Sequence, residues 1–328
     1  MTESESTKSR LLRTGTLVLI AVVLLIGGGV LSVWLPYHRN QTAIAEIDRL
    51  GGKTASGIVR PTWIPDAVGD EYLGVFERVS TVDLSDNEVS DVGLEHLRGL
   101  TNLNWLNLVN TQVGDAGLEH VKELSNIKIL WLINTKTSDQ GLEHLQGLIN
   151  LRELLLVNTQ VTDAGLEHLR GLTKLETLEL NTKVSDAGLE HLQALINLET
   201  LFLDNTQVSD PGLEHLRVLT NLQRLWLNNT QVTDAGLEHL QALINLQRLS
   251  LNNTQISDAG MEHLRRLTNL NWLSLDNTQV SDAGLEHLQG LTNLAYLVLD
   301  NTQVTKAGIE KLQKALPDCE IEWTPLSE

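Results

Sequence analysis

Between Val79 and Asn293 apolar positions return with a period of 24 residues, and a tenth copy follows from Leu294. Copies begin at Val79, Leu103, Ile127, Leu151, Leu175, Leu198, Leu222, Leu246, Leu270 and Leu294. The copy from Leu222 to Asn245 divides into two parts with different periods. In the first part Leu225 and Leu227 alternate with Arg224 and Trp226, which predicts a strand with two leucines inward and their neighbours outward. In the second part Leu237, Leu240 and Leu243 recur at helical spacing. Thr233-Asp234 offers N-cap oxygens to that helix. Gly236 falls on the same face, where a missing side chain would let the helix approach the strand layer.

One such unit cannot bury its own apolar face, but stacked units can. Adjacent strands sit about 4.8 Å apart, whereas packed helices need roughly 8–10 Å. The strands must therefore line the inside of a curve. The expected fold is an α/β horseshoe solenoid, with parallel strands on the concave face and helices on the convex face. Both ends read as caps. Asp70–Arg78 is expected to be a short helix covering the open edge of the first repeat, and Ala43–Leu50 a second helix ended by Gly51-Gly52. At the far end Lys306 and Lys311 replace the repeat's Asp and His, Pro317 stops the helix, and Glu320–Trp323 reads as a final strand.

Upstream of the caps, no charged residue occurs from Thr14 to Tyr37, and Leu17–Pro36 is almost wholly apolar. About twenty residues at the helical rise span roughly 30 Å, the hydrocarbon thickness of a bilayer. Trp34 and Tyr37 fall where amphipathic rings prefer the membrane interface. A cleaved secretory signal competes with this reading, since Ala43-Ile44-Ala45 offers an A-x-A site. The apolar run exceeds the roughly 7–15 residues of a signal core, so an uncleaved anchor is the expectation. Lys8, Arg10 and Arg13 precede the run while Arg39 and Arg49 follow it, a bias toward a cytoplasmic N-terminus and an extracytoplasmic solenoid. Gly28 and Ser32 form a small-xxx-small pair that would let two spans approach.

The pattern L-x-x-L-x-L-x-N-T-x-V followed by S/T-D-A-G-L-E-H-L resembles the leucine-rich-repeat family over about residues 79–320. It is most similar to bacterial membrane-anchored members with repeats like those of internalins, ribonuclease inhibitor and leucine-rich F-box proteins. The position usually held by Asn is Thr here, as in Thr111, Thr159 and Thr254, whose hydroxyl can bond a turn backbone between repeats. The expected organisation is a cytoplasmic tail (1–13), a transmembrane helix (14–37), a linker and N-terminal cap (38–78), ten leucine-rich repeats (79–320), and a C-terminal cap strand with tail (321–328). The resemblance implies a protein or peptide ligand on the concave face, as for internalin-like members. A passive spacer of the cell envelope is the alternative. An adaptor like the F-box repeat proteins is another, although no F-box precedes residue 79.

Charge adds little beyond the repeat. The net formal charge of −18 comes largely from one Asp and one Glu per copy, which spread an acidic, solvated surface unsuited to nucleic acid. The single cysteine, Cys319, excludes an intrachain disulfide. No nucleophile elbow, phosphate-binding loop, dinucleotide fingerprint or Cys/His metal motif is present, so neither catalysis nor a cofactor is expected.

Nine histidines stand at one repeat phase: His96, His120, His144, His168, His191, His215, His239, His263 and His287. Helices about 10 Å apart cannot bring them to the 2.0–2.1 Å that zinc requires, so they read as structural and no metal is expected. Asn110, Asn134, Asn158, Asn181, Asn205, Asn229, Asn253, Asn277 and Asn301 form a second ladder, attributed to the strand-to-loop turn. Asn40, Asn228 and Asn252 match the glycosylation acceptor pattern, two of them only because the repeat spells it, and nothing is inferred from them.

Monotony ends at the outward strand positions. Trp105, Ile129, Trp131, Leu155, Phe202, Arg224, Trp226, Arg248, Trp272 and Tyr296 are the candidate partner-binding residues, with four of the seven tryptophans among them. Exposed aromatics clustered on an otherwise polar surface suit an interface, which is the expectation; aromatics stacking on strand neighbours are the alternative. The fifth repeat is one residue short after Leu180. The missing residue is expected to face the concavity among Glu176, Glu179, Glu199 and Asp204.

Overall fold

The computed structural model describes residues 31–324. One sheet of twelve strands runs through them in strict sequence order. Ten strands of three residues each, from Trp105–Asn107 to Glu320–Glu322, follow a seven-residue strand, Glu77–Asp83, and pair in parallel. Their register is repeat on repeat: Leu201, Leu225 and Leu249 stand side by side, as do Phe202, Trp226 and Ser250. Inward leucines such as Leu225 and Leu227 are fully buried, and one continuous core extends from Ala43 to Cys319. Burial pushes the Cys319 thiol up to about 11, which keeps it protonated.

The convex elements are shorter than the repeat's helical spacing suggests. Asp210–Leu216, Asp234–Leu240 and Asp258–Leu264 are α-helices of seven residues. In repeats two to five and in repeat nine four or five α-helical residues pass into a turn or a 3-10 helix. The first repeat has only a 3-10 helix at Asp91–Leu97, and the last repeat's helix, Lys306–Ala315, runs to ten residues. Two causes are visible. Each copy carries a glycine within the first turn, a poor helix former. The turn is also tied sideways to its neighbours.

That sideways tie revises the expected roles of Asp and Gly. Asp234 accepts the backbone N–H of Ser257 at 2.7 Å and its hydroxyl at 2.5 Å, both in the next repeat. The same pair of bonds joins Asp115 to Ser138, Asp210 to Thr233 and Asp258 to Ser281. Helix capping falls to Ser or Thr alone, as where the Thr233 hydroxyl accepts from Ala235 N–H. Gly236 makes room for the preceding repeat's carboxylate, and not for the strand layer: a Cβ there would overlap Oδ1 of Asp210 and stand 3.1 Å from Leu213 Cδ1. Asp and Gly are thus two halves of one joint between successive turns.

Turn chemistry follows the same logic. Eight of the nine expected asparagines, from Asn110 to Asn301, adopt positive φ, as Asn tolerates better than other non-glycine residues. Asp86 takes that position in the first repeat. The threonine hydroxyls donate within their own turn and not to the backbone of another repeat, as Thr111 donates to Leu108 C=O at 2.7 Å and Thr159 to Leu156 C=O at 2.7 Å.

Asn181 departs from the ladder. With one residue missing before it, its side chain is buried as the ladder threonines are, and donates to Thr159 Oγ1 at 3.0 Å and Val161 C=O at 2.7 Å.

The N-terminal cap differs from expectation. Asp70–Arg78 forms two 3-10 turns, Asp70–Tyr72 and Gly74–Phe76, and then enters the first repeat's strand. The open edge is closed instead by Lys53–Ile58, an antiparallel strand on Glu77–Asp83. Its sequence, KTASGI, has no apolar alternation because it lies on the surface and contributes mainly backbone bonds. A helix over 31–49 packs Ala43 and Ile47 into the end of the core. It ends as expected at Gly51, which has positive φ. At the other end Lys306–Ala315 and Glu320–Glu322 close the solenoid as expected. No helix among the described residues is long and apolar enough to cross a membrane. Most of the expected span, including Gly28, lies outside the described residues, and residues 31–37 belong to the helix that continues to 49.

Candidate functional site

Because the strands alternate, three side chains per repeat face away from the core: those before, between and after the two inward leucines. The third position is missing from the expected set, yet contacts place it on the same face. Ser250, between Leu249 and Leu251, donates to Asn228 Oδ1 at 2.6 Å, and Asn228 is the residue after Leu227. All ten candidate residues occupy the outward positions. Arg224 and Arg248 are exposed and the other eight half-buried.

The third position divides the face in two. In repeats two to four it holds Val109, Ile133 and Val157, half-buried beside Trp105, Ile129, Trp131 and Leu155. Together these seven make a contiguous apolar strip. Trp105 and Trp131 meet edge to face with ring centroids 5.3 Å apart. The Trp131 indole N–H donates to Glu153 Oε1 at 2.6 Å, which fixes the ring. Signal for the three missed residues was available in the alternation, which continues beyond Leu108, Leu132 and Leu156.

From the sixth repeat onward the same position is polar, and each side chain accepts the next repeat's backbone N–H until Asp300, whose buried Oδ1 has no partner among the described residues. Asp204 Oδ1 accepts Asn228 N–H at 2.8 Å, Asn228 Oδ1 accepts Asn252 N–H at 2.9 Å, and Asp276 Oδ1 accepts Asp300 N–H at 2.9 Å. The missing residue of repeat five is the one at this position, so it marks the border between the apolar and polar halves.

At that border Phe202 and Trp226 stack at 4.4 Å. Glu179 and Asp204 stand beside them. Burial pushes both carboxyls above their ordinary range, and the charges of Asp204 and Glu153 raise Glu179 further. The Asn228 N–H groups partly offset this for Asp204. Glu176 and Glu199 are not part of this group. They line a separate polar groove along the strand N-termini with Arg152, which pairs with Glu176, and with Asn197 and Asn221. Those asparagines brace the rim by donating to backbone carbonyls of the preceding repeat, as Asn221 does to Ile196 C=O at 2.9 Å.

A raised carboxyl pKa has a definite consequence for stability. The folded chain holds these protons more tightly than the unfolded chain, so the contribution is fully present below the unfolded carboxyl range. It is lost as pH rises through the raised values. Glu179→Gln is therefore expected to raise the melting temperature at pH 7 and to lose that advantage below about pH 4, where unfolded glutamate itself is protonated. Melting curves at the two pH values check this. An equal effect at both would remove electrostatic strain as the cause.

Elsewhere the outward residues are tied to neighbours. The Tyr296 hydroxyl donates to Glu322 Oε2 at 2.5 Å, which pushes its pKa up to about 12. The histidine ladder is half-buried, and part of it is bonded sideways: His168, His215 and His263 meet Gln146, Gln193 and Gln241 at 2.7–2.9 Å through Nδ1, whereas His120 Nδ1 has no partner among the described residues. Arg170 donates to His191 Nδ1 at 2.6 Å, which requires that nitrogen to be unprotonated. Among the described residues no three of His, Cys, Asp and Glu are grouped to hold a metal ion.

The architecture has known counterparts. No curated protein sequence matches the chain. An internalin (inlF) from Listeria monocytogenes has a similar structure, with TM-score 0.54 and 25% identity over 75% of this chain and 82% of that one. Internalin C2 (inlC2) from the same organism gives TM-score 0.52 and 30% identity over 66% of this chain and 86% of that one. A profile of the leucine-rich repeat region matches residues 66–322. The joints, turns and register described above thus belong to a recurrent architecture, and the chain is a member of the leucine-rich-repeat family, of internalin-like type.

Proposed function

We propose that this chain is a membrane-anchored binding protein whose concave face takes a protein or peptide partner, with no catalytic step. The observation that carries the reading is the apolar strip of repeats two to four. From the sixth repeat onward the residue after the second inward leucine instead accepts the backbone N–H of the next repeat, as in the Asn228–Asn252 and Asp276–Asp300 ladders. The strip offers indole and aliphatic surface side by side on three successive repeats, the composition that anchors interfaces. Carboxylates of Glu179 and Asp204 at its border favour a partner segment that carries basic as well as apolar side chains. Partners found by proximity labelling in the native cells are to be tested for capture by wild-type chain and by the Trp105, Trp131 and Trp226 triple alanine variant. Unchanged capture by the variant would leave a passive spacer as the better description.

The anchor is assigned to residues 14–37, uncleaved, with the solenoid on the extracytoplasmic side. Its support is the charge-free run with Lys8, Arg10 and Arg13 ahead of it. A second support is the role of Ala43, buried in the core at the site where signal cleavage would fall. Cleavage there would cut the helix that closes the solenoid. Protease added to intact spheroplasts is expected to remove residues 60–328. Protection of the solenoid, or a mature N-terminus between Gln41 and Glu46, would overturn this assignment.

A further inference from the structure

The N-terminal end of the solenoid carries apolar surface that neither the core nor the concave face uses. The 31–49 helix buries Ala43 and Ile47 against the first repeat, while its N-terminal end leaves Leu31 52%, Trp34 49% and Leu35 43% exposed. Asn40 Nδ2 ties its middle to Glu77 C=O at 2.9 Å. Beside that end lies a hollow of about 540 Å³ walled by Val33, Val59, Pro61, Trp63 and Phe76, with Arg78 at its edge. Trp63 meets Phe76 edge to face at 6.0 Å and is still 71% exposed. The loop that presents it is ordered by Arg60, which donates to Pro65 C=O at 2.9 Å, to Val68 C=O at 2.8 Å and to Asp70 at 2.7 Å.

We propose that this end of the solenoid is itself a membrane contact, with Trp63, Val59 and Val33 seated in the boundary between lipid headgroups and acyl chains. The inference rests on the anchor assignment above. Three features select a bilayer as the occupant. First, the apolar run Leu17–Pro36 leads straight into the hollow's own wall, so no linker separates the anchor from the cap. Second, charge is segregated: residues 38–78 carry five basic and six acidic side chains, leaving the acidic excess on the repeats, which anionic headgroups would repel. Third, indoles beside an arginine suit an interface where rings stay at headgroup depth and the guanidinium reaches phosphate. The solenoid would then stand on its first repeat, with the apolar strip of repeats two to four close to the membrane.

The test uses the full-length chain in vesicles of phosphatidylcholine brominated near the top of the acyl chains, with tryptophan fluorescence as the readout. Trp34→Phe leaves Trp63 as the one indole of the cap region, and the Trp34→Phe/Trp63→Phe pair removes it. The single variant is expected to show a quenched component that the double variant loses. Equal quenching in both overturns the proposal, as does a dimer in which Trp63 is shielded from the bromolipid. Carbonate extraction separates the two readings. A chain retained in the vesicle pellet with Trp63 unquenched refutes the cap contact alone, whereas release from the pellet refutes the anchor and this proposal with it.

Discussion

Leu225→Ala is expected to cost about 2–5 kcal/mol of stability, the range for truncating a fully buried leucine. The residue has no exposed surface and stands in register between Leu201 and Leu249, so removing its side chain opens a void shared by three repeats. Closure of that void would need the two neighbouring strands to move together, which the lateral backbone bonds resist. His263→Ala is the paired control. It removes one half-exposed bond with Gln241, on the scale of about 1 kcal/mol, and leaves no cavity. Urea titrations of the two variants give the comparison, and similar losses would mean that the inward and outward faces are reversed. Because each repeat contacts only its neighbours, Leu225→Ala is also expected to broaden the transition as the solenoid loses cooperativity at that point.

Binding should separate from stability at the concave aromatics. Trp131→Ala and Trp226→Ala are each expected to weaken partner affinity by about 2 kcal/mol or more, roughly thirtyfold, the scale of interface hot spots. Their cost to folding is smaller but exceeds that of an isolated surface residue. Trp131 is held by Trp105 and Glu153, and Trp226 by Phe202, and such aromatic pairs contribute about 0.5–1.5 kcal/mol beyond burial. Melting curves must therefore accompany affinity measurements, made where each variant is fully folded. A variant that melts near the wild type and loses its partner supports the concave site. One that binds normally assigns its indole to strand packing alone.

The concave site was legible in part. Trp105, Ile129, Trp131 and Leu155 stand out because they interrupt a monotonous repeat at positions that strand alternation turns outward. Val109, Ile133 and Val157 escaped notice because they follow the inward leucine at the start of the turn, where apolar residues do not look periodic. Their grouping depends on what stands beside them in neighbouring repeats, a contact about 24 residues away along the chain. The acidic residues illustrate the opposite error. Glu176 and Glu179 are close in sequence, yet one lines the rim groove and the other the sheet face, because Glu176 precedes the strand Thr177–Glu179 and Glu179 lies within it.

By itself the sequence determined the repeat, its period, the inward leucines and therefore the solenoid. These follow from local periodicity multiplied ten times, which no other arrangement can bury. Tertiary structure alone decided what joins one repeat to the next. Asp234 looks like a helix cap until Ser257 is seen beside it, and Gly236 looks like a packing gap toward the sheet until Asp210 fills it. The edge strand Lys53–Ile58 was equally invisible, since its contribution is backbone pairing and carries no side-chain pattern. The physical reason is common to all three. Burial of apolar groups is written in each residue's own type and spacing, whereas a hydrogen bond between repeats belongs to a pair, and only the fold says which residues are paired.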